Sequence, residues 1–173
     1  MKIFLDTAVY EDIEKANQSG LIDGVTTNPS LILKSGGDPV ETIKKISGDF
    51  PFFESISAEV VADKALEMVD QAQAFKDMQN VTIKVPLTVE GLKACKLLSQ
   101  DGFTVNVTLC FSVAQAILAS KAGATYISPF VGRVDDNSFD GLELVGDIAK
   151  LYREHMSRTQ VLAASLRNVK DVA

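Results

Sequence analysis

The stretch Asn80-Val81-Thr82-Ile83-Lys84-Val85 decides how this chain folds. Val81, Ile83 and Val85 alternate with Thr82 and Lys84, the two-residue period of a strand whose two faces meet different surroundings. The apolar face suits packing under helices. The other carries a lysine inside a β-branched run, where a solvated lysine is not expected. Lys15, Lys44, Lys64, Lys93 and Lys121, by contrast, lie on helical patterns and read as solvated.

Outward from this strand the same unit recurs. Strands are expected at Lys2–Thr7, Gly24–Asn28, Phe52–Glu59, Asn80–Val85, Thr104–Leu109, Tyr126–Phe130 and Gln160–Leu166. Helical patterns fall between them, at Tyr10–Gln18, Ala62–Phe75, Val89–Ser99, Val113–Lys121 and Leu142–Met156. Glu11 and Asp12 suit a helix N-terminus. Gly20, Gly102 and Gly123 follow helical stretches closely, where left-handed caps are expected. Strict alternation of strand and helix implies parallel strands joined by right-handed crossovers. An open doubly wound sheet and a (β/α)8 barrel both satisfy this. The lack of a Gly-rich phosphate loop after the first strand weakens the dinucleotide-binding version and favours the barrel. Residues 1–173 then form a single α/β domain, a (β/α)8 TIM barrel. Only Arg167–Ala173 follow the seventh strand, so the eighth strand and the C-terminal helix are expected to be absent from this chain.

The faces of the strands have a direction. Along each, the set opposite the helix-packing residues turns polar or charged towards the C-terminal end, the end of a parallel barrel where active sites sit. Asp6, Asn28, Glu59, Lys84, Asn106, Thr108, Ser128 and Ser165 all share this parity. Burying such groups is unfavourable unless they bond to one another or to a polar ligand. A polar substrate fits that pattern.

Lys84 is the residue that carries chemistry. An amine withdrawn from water loses the solvation of its charged form and becomes a nucleophile towards carbonyls. A structural lysine paired with Asp6 or Glu59 is the alternative, and pairing does not exclude catalysis. A Schiff-base reaction needs proton shuttles, and Asp6 and Glu59 are the carboxylates at interior-facing strand ends. Thr108 is suited to hold a water between Glu59 and the carbinolamine. Arg133, after the sixth strand, and Arg167, ending the seventh, suit phosphate recognition, since guanidinium binds phosphate bidentately and late barrel loops commonly take phosphate. Taken alone, either would read as a surface ion-pair partner.

Composition narrows the partners. The net charge of −6 argues against nucleic acid, which needs clustered Lys and Arg. No apolar run approaches the ~20 residues of a membrane span. The two cysteines, Cys95 and Cys110, show neither metal-ligand nor disulfide spacing and read as reduced buried thiols. His155, the single histidine, reads as a surface residue, and no metal site is expected. Asp135, Asp136 and Asp140 lack metal-loop spacing and suit capping of the helix near Leu142. A cytoplasmic location is expected.

These motifs resemble a known family. Leu5-Asp6-Thr7, Gly24-Val25-Thr26-Thr27-Asn28-Pro29-Ser30, Val81-Thr82-Ile83-Lys84-Val85-Pro86, Asn106-Val107-Thr108-Leu109, Ser128-Pro129-Phe130-Val131-Gly132-Arg133 and Ala163-Ala164-Ser165-Leu166-Arg167 are similar to transaldolase motifs and occur in the same order. The resemblance covers essentially the whole chain and points to the short bacterial-type subfamily, which includes fructose-6-phosphate aldolases. It implies that Lys84 forms the Schiff base and that Asp6 is the acid/base at the substrate C4 hydroxyl. Glu59, with Thr108 and a water, would handle carbinolamine proton transfer. Asn28 and Asn106 would position hydroxyls, Ser128 would line the pocket, and Arg133, Ser165 and Arg167 would bind phosphate. The implied reaction passes a dihydroxyacetone unit from sedoheptulose 7-phosphate to glyceraldehyde 3-phosphate, without a cofactor, in the pentose phosphate pathway.

Members that act as simple aldolases tend to carry Gln in place of Glu59 and Tyr in place of Phe130. A ring without a hydroxyl cannot help to release dihydroxyacetone, so both residues favour transfer. Release of free dihydroxyacetone and an inactive sugar-phosphate-binding barrel are the alternative readings. Family chains continue for one more strand and a helix that supports ring-shaped homo-oligomers, often decamers, so a homo-oligomer is expected.

Overall fold

The computed structural model describes residues 1–172; Ala173, the last residue of the expected domain, lies outside the described residues. Seven strands follow one another in sequence order in a parallel sheet. They are β1 (Phe4–Asp6), β2 (Gly24–Thr26), β3 (Ser55–Glu59), β4 (Val81–Pro86), β5 (Thr104–Cys110), β6 (Tyr126–Pro129) and β7 (Gln160–Val161). The helices are α1 (Tyr10–Asn17), α2 (Pro29–Ser35), α3 (Pro39–Asp49), α4 (Ala65–Ala72), α5 (Val89–Gln100), α6 (Val113–Lys121), α7 (Val131–Asp135) and α8 (Gly141–Glu154). The fold class is α/β of the (β/α)8 barrel kind, with seven strands among the described residues. Each expected strand is present, with ends displaced by up to three residues except in the seventh, which stops five residues early. Three helices lie outside the five expected stretches: α2, α3 and α7. Gly20, Gly102 and Gly123 take left-handed conformations, as their positions predict.

Backbone contacts divide the chain into two compact units. The first comprises Met1–Val61 and Asp70–Lys84. In it β1 pairs with β2, β2 with β3, and β3 with β4, in a register that sets Asp6 beside Thr26 and Glu59 beside Lys84. Its core is branched aliphatic: Ile13 of α1, Ile43 and Ile46 of α3, Val25, Ile56 and Ile83 are all essentially inaccessible. Each such side chain contributes about 1.5–3 kcal/mol relative to exposure. Two short helices begin at proline in the first turn, which lacks an N–H that would otherwise need a partner. Asn28 caps α2 through Leu31 N at 3.0 Å, and Asp38 caps α3 through Glu41 N at 3.0 Å.

The second unit comprises Ala62–Val69 and the chain from Val85 onwards. β5 pairs with β6 and β6 with β7. Helices α5, α6 and α8 present Leu98, Ala116, Ala119 and Ile148 to Val105, Val107 and Ile127, and all of these are fully buried. Thr88, Ser112 and Asp140 cap α5, α6 and α8. The expectation for Asp140 therefore holds. Tyr152 of α8 is buried and donates its hydroxyl to Ala116 O at 2.6 Å. His155 ends α8 and is exposed.

Strand β7 covers two residues where seven were expected. Beyond it Ala164 makes an isolated bridge to Phe130, and Ser165 turns left-handed at φ 59°. A side chain in that region breaks extended pairing, so the ladder cannot continue. In β5 the register shifts between Thr108 and Cys110, where Leu109 adopts φ 65°. This bulge ends the simple alternation that held along Val105-Asn106-Val107-Thr108.

Both cysteines are fully buried. Burial pushes the Cys95 thiol up to about 12 and raises the Cys110 thiol as well. The fold favours the neutral thiol, so this contribution to stability is present below the ordinary thiol range and is lost as pH rises through the raised values. The thiolate is the reactive form. At pH 8 the native protein should therefore release almost no colour with Ellman's reagent, and two equivalents should react after denaturation in guanidinium chloride. Fast reaction of either thiol in the native protein would contradict the packing of α5 or of β5.

Candidate active site

In the first unit Lys84 meets Glu59 and Thr27. The lysine residue is 8% exposed, deep in β4. Its ammonium meets Glu59 Oε2 at 2.9 Å and donates to the main-chain carbonyl of Thr27 at 2.6 Å. The pairing with Glu59 follows from the β3–β4 register, because parallel partners at one level present their side chains to the same face. Below this rung lie Ser57 and Thr82, both buried, and the Ser55 hydroxyl donates to Thr82 Oγ1 at 2.7 Å. Among the described residues Ser57 Oγ is buried without a hydrogen-bond partner.

Asp6 and Asn28 complete the expected set in this unit. Asp6 ends β1, is exposed, and accepts a 2.8 Å hydrogen bond from Thr26 Oγ1, its register partner on β2. Asn28 is half-buried, and its side-chain oxygen is engaged in the α2 cap. Its amide nitrogen keeps the capacity to donate to a hydroxyl. Strand β2 ends at Thr26; Asn28, before proline, stays extended at φ −152° and ψ 164°, and α2 starts at Pro29. Thr27 therefore lies just past the ladder, with its carbonyl turned to Lys84 and its hydroxyl donating to Ser57 O at 2.7 Å.

The second unit supplies the remaining expected residues. Asn106 of β5 and Ser128 of β6 are buried and joined, the serine hydroxyl donating to Asn106 Oδ1 at 3.0 Å. Thr108 is buried at the level of Ser128, just before the left-handed Leu109. Phe130 is half-buried and meets the edge of Phe111, with ring centroids 6.2 Å apart. Arg133 is exposed on α7, its guanidinium 6.0 Å from the centre of the Phe130 ring, at the outer limit of a cation–π contact.

Arg167 makes two bonds to Asp136, from Nη1 at 2.5 Å and from Nη2 at 2.7 Å. This fork is the geometry with which guanidinium grips a phosphate. The guanidinium beside Asp136 holds that carboxyl below the usual carboxylate range and raises its own value in turn. Asp136 therefore serves Arg167, while Asp135 and Asp140 accept from Gly141 N and Glu143 N in the first turn of α8, both at 2.9 Å. Gly132 allows this arrangement. It donates to Ser165 O at 3.1 Å, and a β-carbon on it would lie 2.7 Å from that oxygen and 2.4 Å from Arg167 Nε.

Sequence reading missed Thr26, Thr27, Gly132 and Asp136 as parts of the site. Thr26 shared the parity of Asn28, so its signal was present. Thr27 acts through its backbone and left none.

Comparison with known proteins gives three further findings. A family model described as transaldolase/fructose-6-phosphate aldolase matches residues 3–173. A protein of Paracoccus denitrificans named probable transaldolase is 54% identical over 173 residues, covering 99% of this chain and 79% of its own length. One of Brucella anthropi with the same name is 51% identical over 173 residues, with the same coverage. Among solved structures, 3-keto-L-gulonate-6-phosphate decarboxylase from Vibrio cholerae is similar with a TM-score of 0.63. At 11% identity, over 94% of this chain and 87% of the other, that likeness concerns the fold alone. With a buried lysine paired to a carboxylate in its fourth strand and relatives above half identity across its length, the chain belongs to the transaldolase/fructose-6-phosphate aldolase family.

Proposed function

We propose that the protein is a transaldolase that moves a dihydroxyacetone unit from sedoheptulose 7-phosphate to glyceraldehyde 3-phosphate through a Schiff base on Lys84. The observation that carries this reading is the amine of Lys84, buried in a strand and held against Glu59 at 2.9 Å. The names of the relatives and the family model support the same chemistry.

The steps follow from the groups present. Lys84 first passes one proton through water to Glu59 Oε1, and the neutral amine adds to the ketose carbonyl, giving a carbinolamine. Glu59, with Thr108 and a water, protonates the departing hydroxyl, which leaves as water and yields an iminium. Asp6 takes the proton of the C4 hydroxyl, the C3–C4 bond breaks, and its electrons flow to the iminium to give an enamine. The aldose leaves. The enamine then attacks the aldehyde acceptor, the acceptor oxygen regains a proton from Asp6, and water returns to free Lys84. Thr26 steadies Asp6 through its 2.8 Å hydrogen bond. Asn28, Asn106 and Ser128 hold substrate hydroxyls. Arg133, Ser165 and Arg167 take the phosphate, which exchanges with the Asp136 carboxylate in the fork of Arg167. No cofactor takes part. A cytoplasmic location and a homo-oligomeric state, a decamer among the options, belong to the same proposal.

Phe130 favours transfer over release, because its ring carries no proton for the enamine. The reading in which free dihydroxyacetone is released rests on the same lysine and differs at this position.

Three outcomes check the proposal. Borohydride with fructose 6-phosphate should add mass to a peptide containing Lys84. Lys84→Met should abolish that adduct while circular dichroism stays native; an adduct on another residue would falsify the mechanism. Phe130→Tyr should raise dihydroxyacetone release relative to transfer, by about tenfold for one positioned proton donor, whereas an unchanged product ratio removes the ring from this role. Arg167→Ala should raise KM for phosphorylated substrates by roughly 10–100-fold, the equivalent of one charged bidentate contact. An equal loss with unphosphorylated sugars would remove Arg167 from the phosphate site.

A further inference from the structure

We infer that Thr27 is a positioning residue for Lys84: its main-chain carbonyl, tethered by its own hydroxyl, aims the lone pair of the amine. The inference rests on the reading of Lys84 as the Schiff-base nucleophile.

The geometry around the nitrogen carries it. A lysine ammonium has three N–H bonds, and here one points to Glu59 Oε2 at 2.9 Å and one to Thr27 O at 2.6 Å. Loss of the third proton, passed through water to Glu59 Oε1, gives a neutral amine with two N–H bonds and one lone pair. If both acceptors stay in place, they hold the two hydrogens, and the lone pair takes the one direction left. Attack on a carbonyl requires the lone pair in a defined direction, and misplacement by an ångström slows such steps by about 10²-fold.

The two acceptors are not equivalent. A carboxylate can take up a proton, so the bond to Glu59 changes as protons move. A main-chain carbonyl accepts a hydrogen bond and stays unprotonated at neutral pH. The Thr27 contact is therefore the fixed reference of the pair. When the iminium forms, its nitrogen keeps a single N–H, and only one of the two contacts survives.

The carbonyl is held on several sides. Thr27 is fully buried, and its hydroxyl donates to Ser57 O on β3 at 2.7 Å. On one flank Thr26 O accepts from Thr7 N at 3.1 Å. On the other, Asn28 caps α2, its oxygen atoms accepting from Leu31 N. Removing the threonine hydroxyl releases the tether that Thr27 makes through its own side chain while leaving every group proposed to touch substrate in place.

The test compares Thr27→Val, which keeps the shape and loses the hydroxyl, with Thr27→Ser, which keeps the hydroxyl. The rate of Schiff-base formation is measured by borohydride quench at saturating fructose 6-phosphate, alongside KM and Tm. Thr27→Val should slow adduct formation by about tenfold or more with KM within about twofold, and Thr27→Ser should restore most of the rate. Wild-type rates in Thr27→Val, or equal slowing in both variants, overturn the inference. Should Thr27→Val not fold, a crystal structure of the unliganded native protein decides: Lys84 Nζ within hydrogen-bond reach of Thr27 O supports it, and Nζ out of reach overturns it. If the native protein forms no adduct on Lys84, it is the proposed function that fails, which the wild-type lane of the same experiment reveals separately.

Discussion

An ammonium group brought out of water needs compensation, and the Lys84–Glu59 contact supplies it. Desolvating a lysine costs several kcal/mol after relaxation, and only a well-placed counter-charge with further hydrogen bonds offsets this. The counter-charge is well placed because β3 and β4 pair with Glu59 opposite Lys84. A slip of one residue would turn Lys84 towards the helix-packing face, where Ile83 and Val85 now lie buried. The requirement that the amine meet its acid thus fixes the register, and the register fixes which residues of both strands are core.

The second unit uses strained backbone to aim side chains. Leu109 and Ser165 are both left-handed without being glycine, and each lies beside a residue assigned to the site, Thr108 in one case and Arg167 two positions on in the other. Such conformations cost of order 1–3 kcal/mol each and persist where the surroundings enforce them. Around Ser165 the enforcing element is Gly132, whose bare α-carbon lets the two segments approach to a backbone hydrogen bond. The Val-Gly-Arg sequence on α7 is therefore a packing device as well as a carrier of Arg133.

How much could be read in advance divides along physical lines. The strands and their two faces were legible because the alternation along Val81–Val85 has one structural meaning. Lys84 was legible because a lysine in that alternation conflicts with its setting. Helices α2 and α3 carried a signal that went unread, an Asn28-Pro29 and an Asp38-Pro39 start in which the acceptor side chain caps and proline opens the first turn. The seventh strand misled because Gln160–Leu166 keeps a strand pattern past the point where Ser165 reverses the backbone. The bond from Lys84 to Thr27 was beyond reach, since a carbonyl belongs to every residue alike. The Arg167–Asp136 fork joins residues 31 positions apart, and no local pattern encodes such a pair.

Under the proposed function, Asn28 joins anchoring and recognition in the Thr-Thr-Asn-Pro motif. One end of its amide holds the first turn of α2, and the other is the donor proposed to meet a hydroxyl. Aspartate would keep the helix start, being an equally good cap, but would present an acceptor with charge where a donor is wanted. Alanine would lose both. Residues with two such duties leave a lineage little room to change, because no single replacement keeps the scaffold and alters the binding preference in small steps. Variation in what the pocket accepts is then expected to arise at positions with one duty, such as the ring at 130.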